Sequence, residues 1–538
     1  MMNGHEESDP NIVAVKPVNK AERSVAELVE RRAGTKGNAG QGGTLRTPSR
    51  EGASHGLDRV RKTARERKKE KFTALLHHIT VDSLDQAFRE LRKDAAPGID
   101  GVTWEDYEKD LGRKLADLHS RVHRGAYRAQ PSRRVYIPKP DGRQRPLAIA
   151  ALEDKIVQRA TATVLNAIYE EDFLGFSYGF RPGRSPHDAM DALVVGINTR
   201  KVNFILDADI EKFFDSVSQE RLIEFVEHRI GDKRIIRLVQ KWLKAGVLED
   251  EAVTTSDMGT GQGSVISPLL ANIYLHYAFD LWADRWRRRE AEGEVIIVRY
   301  ADDIIVGFQH EADAQRFLEA MRERLGEFAL TLHPGKTRLI EFGRFAAANR
   351  KQRGLGEPET FNFLGFAFIC GKSRKGGFLV LRKTRTDRMR AKLKEIEEGP
   401  RRRMHRPIGE QGRWLKPVAA GSFNDFAVPT NTRAPYAFRY LVVDLWRRTL
   451  RRRSRRDRTT WERMKRRARD FIPKPRVLHP WPSARFAARR PRREPYAGKP
   501  QCGGRAVMRV PTAIVARAPR NDGGPLFLSS TNSAYGKD

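Results

Sequence analysis

Cysteine is nearly missing from this chain: 538 residues contain two, Cys370 and Cys502, far apart in sequence. That excludes a disulfide framework and any four-cysteine zinc site, and it suits a reducing compartment. Long hydrophobic runs are missing as well. Apolar runs such as Val295 to Val298 are strand-sized, against the about 20 apolar residues that a membrane span requires. The amino-terminal MMNGHEESDP is acidic and polar, without the basic-then-apolar order of a signal peptide. A chain of this kind is expected in the cytoplasm, including at the nucleoid, rather than secreted, and without a membrane partner. His77, His78, His187, His333 and His405 show no metal-ligand spacing, and no repeat of solenoid period is present. Acidic residues also fall short, 68 Asp+Glu against 102 Lys+Arg, for a net charge of +34. Such a protein repels itself unless a polyanion is bound, so nucleic acid is the expected partner. A basic amphipathic helix on a membrane surface would also be positive, but here the charge is spread along the whole chain.

What the sequence does contain suffices for several domains. Hydrophobic residues make up 39% and aromatics 9%, enough for real cores. Residues 1–56 are the exception. Rich in Gly, Ser, Thr and charge and poor in aromatics, they lack the apolar area to offset ordering entropy and read as a disordered arm. From Leu57 the pattern becomes helical, and Asp82 or Ser83 can cap a segment whose Leu84, Ala87, Phe88 and Leu91 fall on one helix face. The dipeptides Pro97-Gly98 and Asp100-Gly101 then mark turns. RRVYIPKP reads as a strand, followed by a turn at Asp141-Gly142, and RPLAIAALEDKIVQRATATVLNAIY passes from extended to helical periodicity. The alternation recurs through FILDADI, a helix after Ser218, the pair VIIVRYADDIIVGF and a helix around Ala314 to Phe328. Strands interleaved with helices, plus one hairpin, indicate an α+β or split βαβ sheet, with helices expected on one face.

Composition shifts after about residue 385. From Arg439 to Arg469 fourteen Lys+Arg face three Asp+Glu, interrupted by Leu441, Leu445, Trp446, Leu450, Trp461 and Met464. This pattern describes a helical region with one face buried and another basic. Prolines crowd in beyond Pro473, and residues 501–538 read as an irregular tail.

The sharpest chemical constellation joins Asp209, in FILDADIEKFFDSV, to Tyr300-Ala301-Asp302-Asp303. Apolar residues flank the polar centre of the second segment on both sides, as in two antiparallel strands joined by a tight turn that carries adjacent carboxylates at its tip. In the first, a strand through Phe204 to Leu206 delivers Asp209 at or just past its carboxyl end. Three clustered carboxylates repel one another unless a cation neutralises them. The natural cation is Mg²⁺, a hard ion with oxygen ligands that shares substrate phosphates. Two such ions stabilise the attacking and leaving oxygens of an in-line phosphoryl displacement, which is nucleotidyl-transfer chemistry. Taken singly, each segment also reads as ordinary turn or helix-cap aspartate; taken together in so basic a chain, they favour the metal site.

At these residues a resemblance appears. From roughly Leu57 to Gly498 the chain resembles a group II intron-encoded protein, a reverse transcriptase followed by a maturase domain. The motifs are PGIDGV, IPKPDGRQRPL, GFSYGFRPGRS, DADIEKFFDSV, GTGQGSVISPLLANIYL, YADD, HPGKT and FNFLGF, in the order such polymerases show them. The resemblance implies a right-hand polymerase: fingers and palm over 57–370 with an antiparallel-rich sheet and the YADD hairpin, then an α-helical thumb and maturase region over 371–500. It implies Asp209, Asp302 and Asp303 as ligands of two Mg²⁺ ions, and Lys139 and Arg145 on the triphosphate of the incoming dNTP. A Lys as point charge and an Arg as bidentate fork suit phosphate oxygens. Phe214 matches the aromatic that crowds the sugar 2′ position, with Phe213 beside it as a core residue. Gln262 matches a residue lining the nucleotide pocket, although Gly261 stands where many relatives carry proline. Lys336 is expected on primer or nucleotide phosphates, and FNFLGF packs against the primer-side hairpin with Gly365 allowing close approach.

The region Tyr436 to Asp470 resembles the maturase domain. Its Arg447, Arg448, Arg451, Arg452, Arg453, Arg455 and Arg456 are the candidates for neutralising intron RNA phosphates, while Tyr440, Trp446 and Trp461 mostly pack. The implied partners are group II intron RNA, an RNA template and a DNA primer, and the implied outcome is splicing and retrohoming. The tail after Pro500 holds one cysteine and no histidine, so no metal-binding endonuclease module is expected, and a primer would come from elsewhere, such as a replication fork. Two rivals stay open: an RNA-binding splicing chaperone with a vestigial polymerase site, and a reverse transcriptase of another element such as a retron or defence system.

Overall fold

A computed structural model describes residues 48–138, 144–249, 252–453 and 459–489. Its eleven strands are β1 (Ser132–Pro138), β2 (Gln144–Ile149), β3 (Phe204–Asp209), β4 (Val247–Glu249), β5 (Ala252–Thr254), β6 (Val295–Tyr300), β7 (Asp303–Phe308), β8 (Arg338–Glu341), β9 (Phe361–Phe363), β10 (Phe366–Lys372) and β11 (Phe378–Thr384). They form three sheets, ordered β2-β1-β4-β5, β6-β7-β3-β8 and β11-β10-β9. All pairings are antiparallel except β1 with β4. The α+β reading therefore holds, and the alternation of segments follows the expected order.

Local starts and stops follow side-chain chemistry. The helix Val81–Glu90 is capped by Thr80, whose side chain accepts from the Ser83 backbone, two or three residues ahead of the expected caps. Leu84, Ala87 and Phe88 are buried as the periodicity required, with Phe88 stacked on Trp104 at 4.6 Å between ring centroids. The helix Pro186–Thr199 opens with a capping box in which Ser185 and Asp188 exchange side-chain and backbone hydrogen bonds. At the amino end the helix Pro48–Glu66 takes in residues 48–56, which composition had assigned to the disordered arm; residues 1–47 lie outside the described ones.

The central sheet β6-β7-β3-β8 is buried on both faces, which corrects the expectation of helices on one face. Leu206, Ala208, Ile297, Ile304 and Val306 point into the main core with Phe317, Met321 and Trp286. Their alternating neighbours Ile205, Ile296, Val298 and Ile305 point into a second core with Met190, Leu193 and Ile197 of the helix Pro186–Thr199 and with Phe361, Phe366 and Phe368. The strict period of two is why a one-residue slip in β3 would exchange its two faces between the cores and set Asp207 and Asp209 on the opposite side of the sheet. The hairpin β10–β11 runs through position 370 to Thr384, so the sheet outlasts the 57–370 boundary and the helical region begins at Thr386.

That helical region has its own core, built from Ile396, Leu415, Phe423, Phe438, Val442, Trp446, Leu450 and Met464. Trp446 satisfies its indole N–H on Gln411 at 3.0 Å, both buried. After the proline-rich stretch the chain forms a further helix, Pro482–Arg489, that returns to the helix Pro186–Thr199. Arg485 there reaches the buried Asp191, which Arg382 also contacts at 3.0 Å. No helix among the described residues is long and apolar enough to cross a membrane.

Candidate active site

Register alone brings the acidic residues together. Asp209 ends β3 and pairs directly with Asp303, which begins β7, while Tyr300 pairs with Asp303 across the two-residue tip Ala301-Asp302. Ala301 takes the left-handed conformation, φ 57°, that closes so tight a turn. Like charges set opposite one another on neighbouring strands destabilise a sheet, and the acids respond. Burial pushes the Asp302 carboxyl up, with Asp209 adding to the rise. Burial, then Asp302, Asp209 and Asp207, push Asp303 up to about 7. Asp303 is exposed, so water screens part of this repulsion. Burial likewise lifts Asp207, two residues before Asp209, to about 6, although Arg338 lies 3.6 Å away.

Positive charge is already present. The Lys336 ammonium lies 2.5 Å from Asp209 Oδ2, and the His333 backbone donates to the Asp209 carbonyl at 2.8 Å, which ties the HPGKT loop to the end of β3. Lys336, expected on phosphates, here has a carboxylate as its partner. The set fits a divalent cation by chemistry: three carboxylates of hard oxygen, two with raised proton affinity that a cation would relieve. Among the described residues no three His, Cys, Asp or Glu side chains are drawn as close as a bound ion would hold them.

The remaining candidates converge on the same region. Arg145, on β2, sits opposite Ile137 of β1, and its charge is felt at Asp302. Lys139 and the Asp141-Gly142 turn lie outside the described residues. Phe213 is buried, as expected, and Phe214 beside it is half-buried, the two rings edge-to-face at 5.4 Å. The Phe214 carbonyl accepts from Thr260 at 2.9 Å, and the Gln262 carbonyl accepts from Ala148 at 2.6 Å. The glycine-rich loop thus bridges the Phe214 segment and the end of β2. Gly261 has φ 62°, a value closed to proline, so proline could not form this turn.

Other expectations need correction. Leu364 and Gly365 form the tip between β9 and β10 with φ 49° and 86°. Gly365 therefore serves a left-handed turn rather than a close approach, since a Cβ there would come no nearer than 3.6 Å to Phe426. In the helix Arg433–Arg452, Arg447 and Arg448 are both paired with Asp444, at 3.0 and 2.7 Å. Arg451 and Arg452 are exposed and Arg453 half-buried, while Arg455 and Arg456 lie outside the described residues. Trp446 packs, but Tyr440 is 58% exposed and stacks on Trp461 at 5.2 Å, with the Arg447 guanidinium 4.8 Å from the Trp461 ring. Tyr436, one turn earlier, is 59% exposed.

Three charged groups escaped the sequence reading: Asp207, the pair Arg299–Asp280, and Asp191 with its two arginines. Arg299 carried a usable signal, as the lone charge inside the apolar strand VIIVRY. Asp191 carried none, because its partners lie 191 and 294 residues away.

The reverse transcriptase (RNA-dependent DNA polymerase) family matches residues 137–368. The chain is 33% identical over 320 residues to Protein YkfC of Escherichia coli, covering 53% of this chain and 79% of that one. It is 33% identical over 222 residues to the group II intron-encoded protein LtrA of Lactococcus lactis, covering 41% of this chain and 37% of LtrA. Against an uncharacterized 91 kDa protein in the cob intron of Schizosaccharomyces pombe, identity is 43% over 146 residues, 27% of this chain and 18% of the relative. The chain thus spans most of YkfC but well under half of the intron-encoded relatives. It belongs to the reverse transcriptases, RNA-directed DNA polymerases, and over part of its length it is similar to group II intron-encoded proteins.

Proposed function

We propose that the chain copies RNA into DNA at Asp209, Asp302 and Asp303 and also binds its own group II intron RNA to promote splicing and retrohoming. The observation that carries the first part is the in-register pairing of Asp209 with Asp303 beside Asp302 at the hairpin tip. Two Mg²⁺ ions held by these carboxylates would supply stabilisation of the attacking and leaving oxygens of nucleotidyl transfer. Arg145 and Lys139 hold the triphosphate of the dNTP, Phe214 crowds the sugar 2′ position, and Gln262 lines the nucleotide pocket. Lys336, now neutralising Asp209, is within reach of phosphates in the same cleft. In this reading the sheets through Thr384 are fingers and palm, and the helices from Thr386 are thumb and maturase region.

The second part rests on the density of arginine in the helix Arg433–Arg452 and the helix after it, and on the exposed Tyr436 and Tyr440 among those arginines, since aromatic faces stack unpaired bases. Protein that binds only the folded intron shifts its folding equilibrium by mass action. Primer extension on a poly(rA) template with an oligo(dT) primer tests the reading. We expect Mg²⁺-dependent DNA synthesis, abolished by Asp302→Asn, with RNA binding kept within a few-fold. No synthesis by the unaltered chain would favour the splicing chaperone, and equal loss of both activities in Asp302→Asn would make the carboxylate structural.

A further inference from the structure

The strand that delivers the acidic hairpin contains one charge where alternation calls for none. Arg299 is 0% exposed, and it immediately precedes Tyr300. A guanidinium has five N–H donors, and here each has an acceptor. Nε donates to Asp280 Oδ1 at 2.7 Å and Nη2 to Asp280 Oδ2 at 2.5 Å, a bidentate fork. Nη2 also donates to Ser177 Oγ at 2.8 Å, and Nη1 to Asn272 Oδ1 and to the Ala301 carbonyl, both at 3.1 Å.

The last of these contacts reaches the tip itself. Ala301 is the residue in left-handed conformation that turns β6 into Asp302 and Asp303, and a β-carbon there is strained. Asn272 extends the hold by donating Nδ2 to the Gly179 carbonyl at 2.7 Å. Gly179 lies so close that a Cβ on it would fall 2.2 Å from the Ala301 nitrogen. Asp280, also 0% exposed, is the last residue of a π-helical turn, His276–Asp280, inserted between two α-helices. Such wide turns are rare and often mark functional sites.

A buried Arg–Asp pair is weak evidence of stabilisation, because desolvation offsets much of its attraction. Its geometric consequence is better supported: one planar fork connects the π turn, the helix Ser267–Leu275, the Ser177 segment and the hairpin tip. We propose that Arg299 is a positioning residue that fixes the Ala301 carbonyl, and through it the direction in which Asp302 and Asp303 present their carboxylates. The proposal rests on the polymerase reading of those carboxylates.

Arg299→Lys keeps the charge but offers three donors for five acceptors, and Ser177→Ala removes a single acceptor. In the full-length chain we expect Arg299→Lys to lower kcat for primer extension at least tenfold, with KM for dTTP within threefold. A net intramolecular hydrogen bond corresponds to roughly three- to tenfold, so Ser177→Ala should lose about three- to tenfold in kcat. Mn²⁺ titration followed by electron paramagnetic resonance, without nucleic acid, should show weaker binding in both variants while circular dichroism at assay temperature stays native. Native folding with kcat and Mn²⁺ affinity within twofold of the unaltered chain would overturn the proposal, and if Arg299→Lys does not fold, Ser177→Ala decides alone. Should the unaltered chain bind Mn²⁺ but not extend a primer, the polymerase reading fails while the Mn²⁺ comparison still judges the positioning role.

Discussion

Acidification should release the helix Pro482–Arg489 from the helix Pro186–Thr199. The docked arrangement stacks the His187 ring on the His479 ring at 4.0 Å. His479 donates Nε2–H to the Asn424 carbonyl at 2.7 Å and accepts from Arg485 at Nδ1, also at 2.7 Å. A proton added at Nδ1 would therefore face a guanidinium. Burial, then His479, Arg485 and Arg382, hold His187 down to about 3, and burial lowers His479 in the same sense. Asp191, the acid whose charge opposes this lowering at His479, is already engaged by Arg382 and Arg485. Both histidines are thus neutral when docked and return to about 6.5 when released. Docking is at full strength above pH 6.5 and is lost as pH falls below it toward 3. For His187 alone, moving from pH 7.5 to 5.5 favours release by about 1.4 kcal/mol, roughly a tenfold rise in the open population. His479 adds to it. Hydrogen exchange of the amides in Pro482–Arg489, corrected for intrinsic rates, reads that population directly. Protection that stays constant over this pH range, or rises on acidification, would refute the reasoning. His187→Phe keeps a ring for the stack but cannot take a proton, so it should flatten the profile.

Three further outcomes follow from the site. Phe214→Val should raise incorporation of ribonucleotides relative to deoxynucleotides by roughly 10- to 100-fold, measured by competing rUTP against dTTP; an unchanged ratio would remove Phe214 from the sugar pocket. Gly261→Pro should cut primer extension at least tenfold without shifting the main melting transition, because φ 62° is closed to proline and the loop joins Phe214 to β2; full activity would show that the loop adopts another turn. Changing Arg448, Arg451 and Arg452 to Ala should flatten the dependence of log affinity for intron RNA on log salt by about two to three units, while Tyr436→Ala and Tyr440→Ala should weaken binding without changing that slope. A flat salt curve for the unaltered chain would rule out this basic face as the RNA surface.

Much of the polymerase half was legible because its information is local. Apolar alternation set β3, β6 and β7, and the four residues of YADD left room for only one tight turn, so Asp209 had to meet Asp302 and Asp303 if those strands paired. Composition was a poorer guide at the edges. It assigned 48–56 to a disordered arm, although those residues continue a helix whose packing comes from elsewhere in the chain. The boundary that the resemblance implied at 370 falls in the middle of a hairpin, whereas the shift in composition near 385 lies where the helices begin.

Charge and alternation along the chain sufficed to announce a polyanion-binding enzyme with acids at a hairpin tip, since period and sign are properties of neighbouring residues. What tertiary structure alone decided was the company those charges keep. Lys336 rests on Asp209, Arg447 and Arg448 are drawn to Asp444, Arg299 is sealed beneath the tip it steadies, and Asp191 joins segments nearly three hundred residues apart. Pairings of this kind depend on which surfaces meet after the apolar cores have formed, and spacing in one dimension does not encode that meeting.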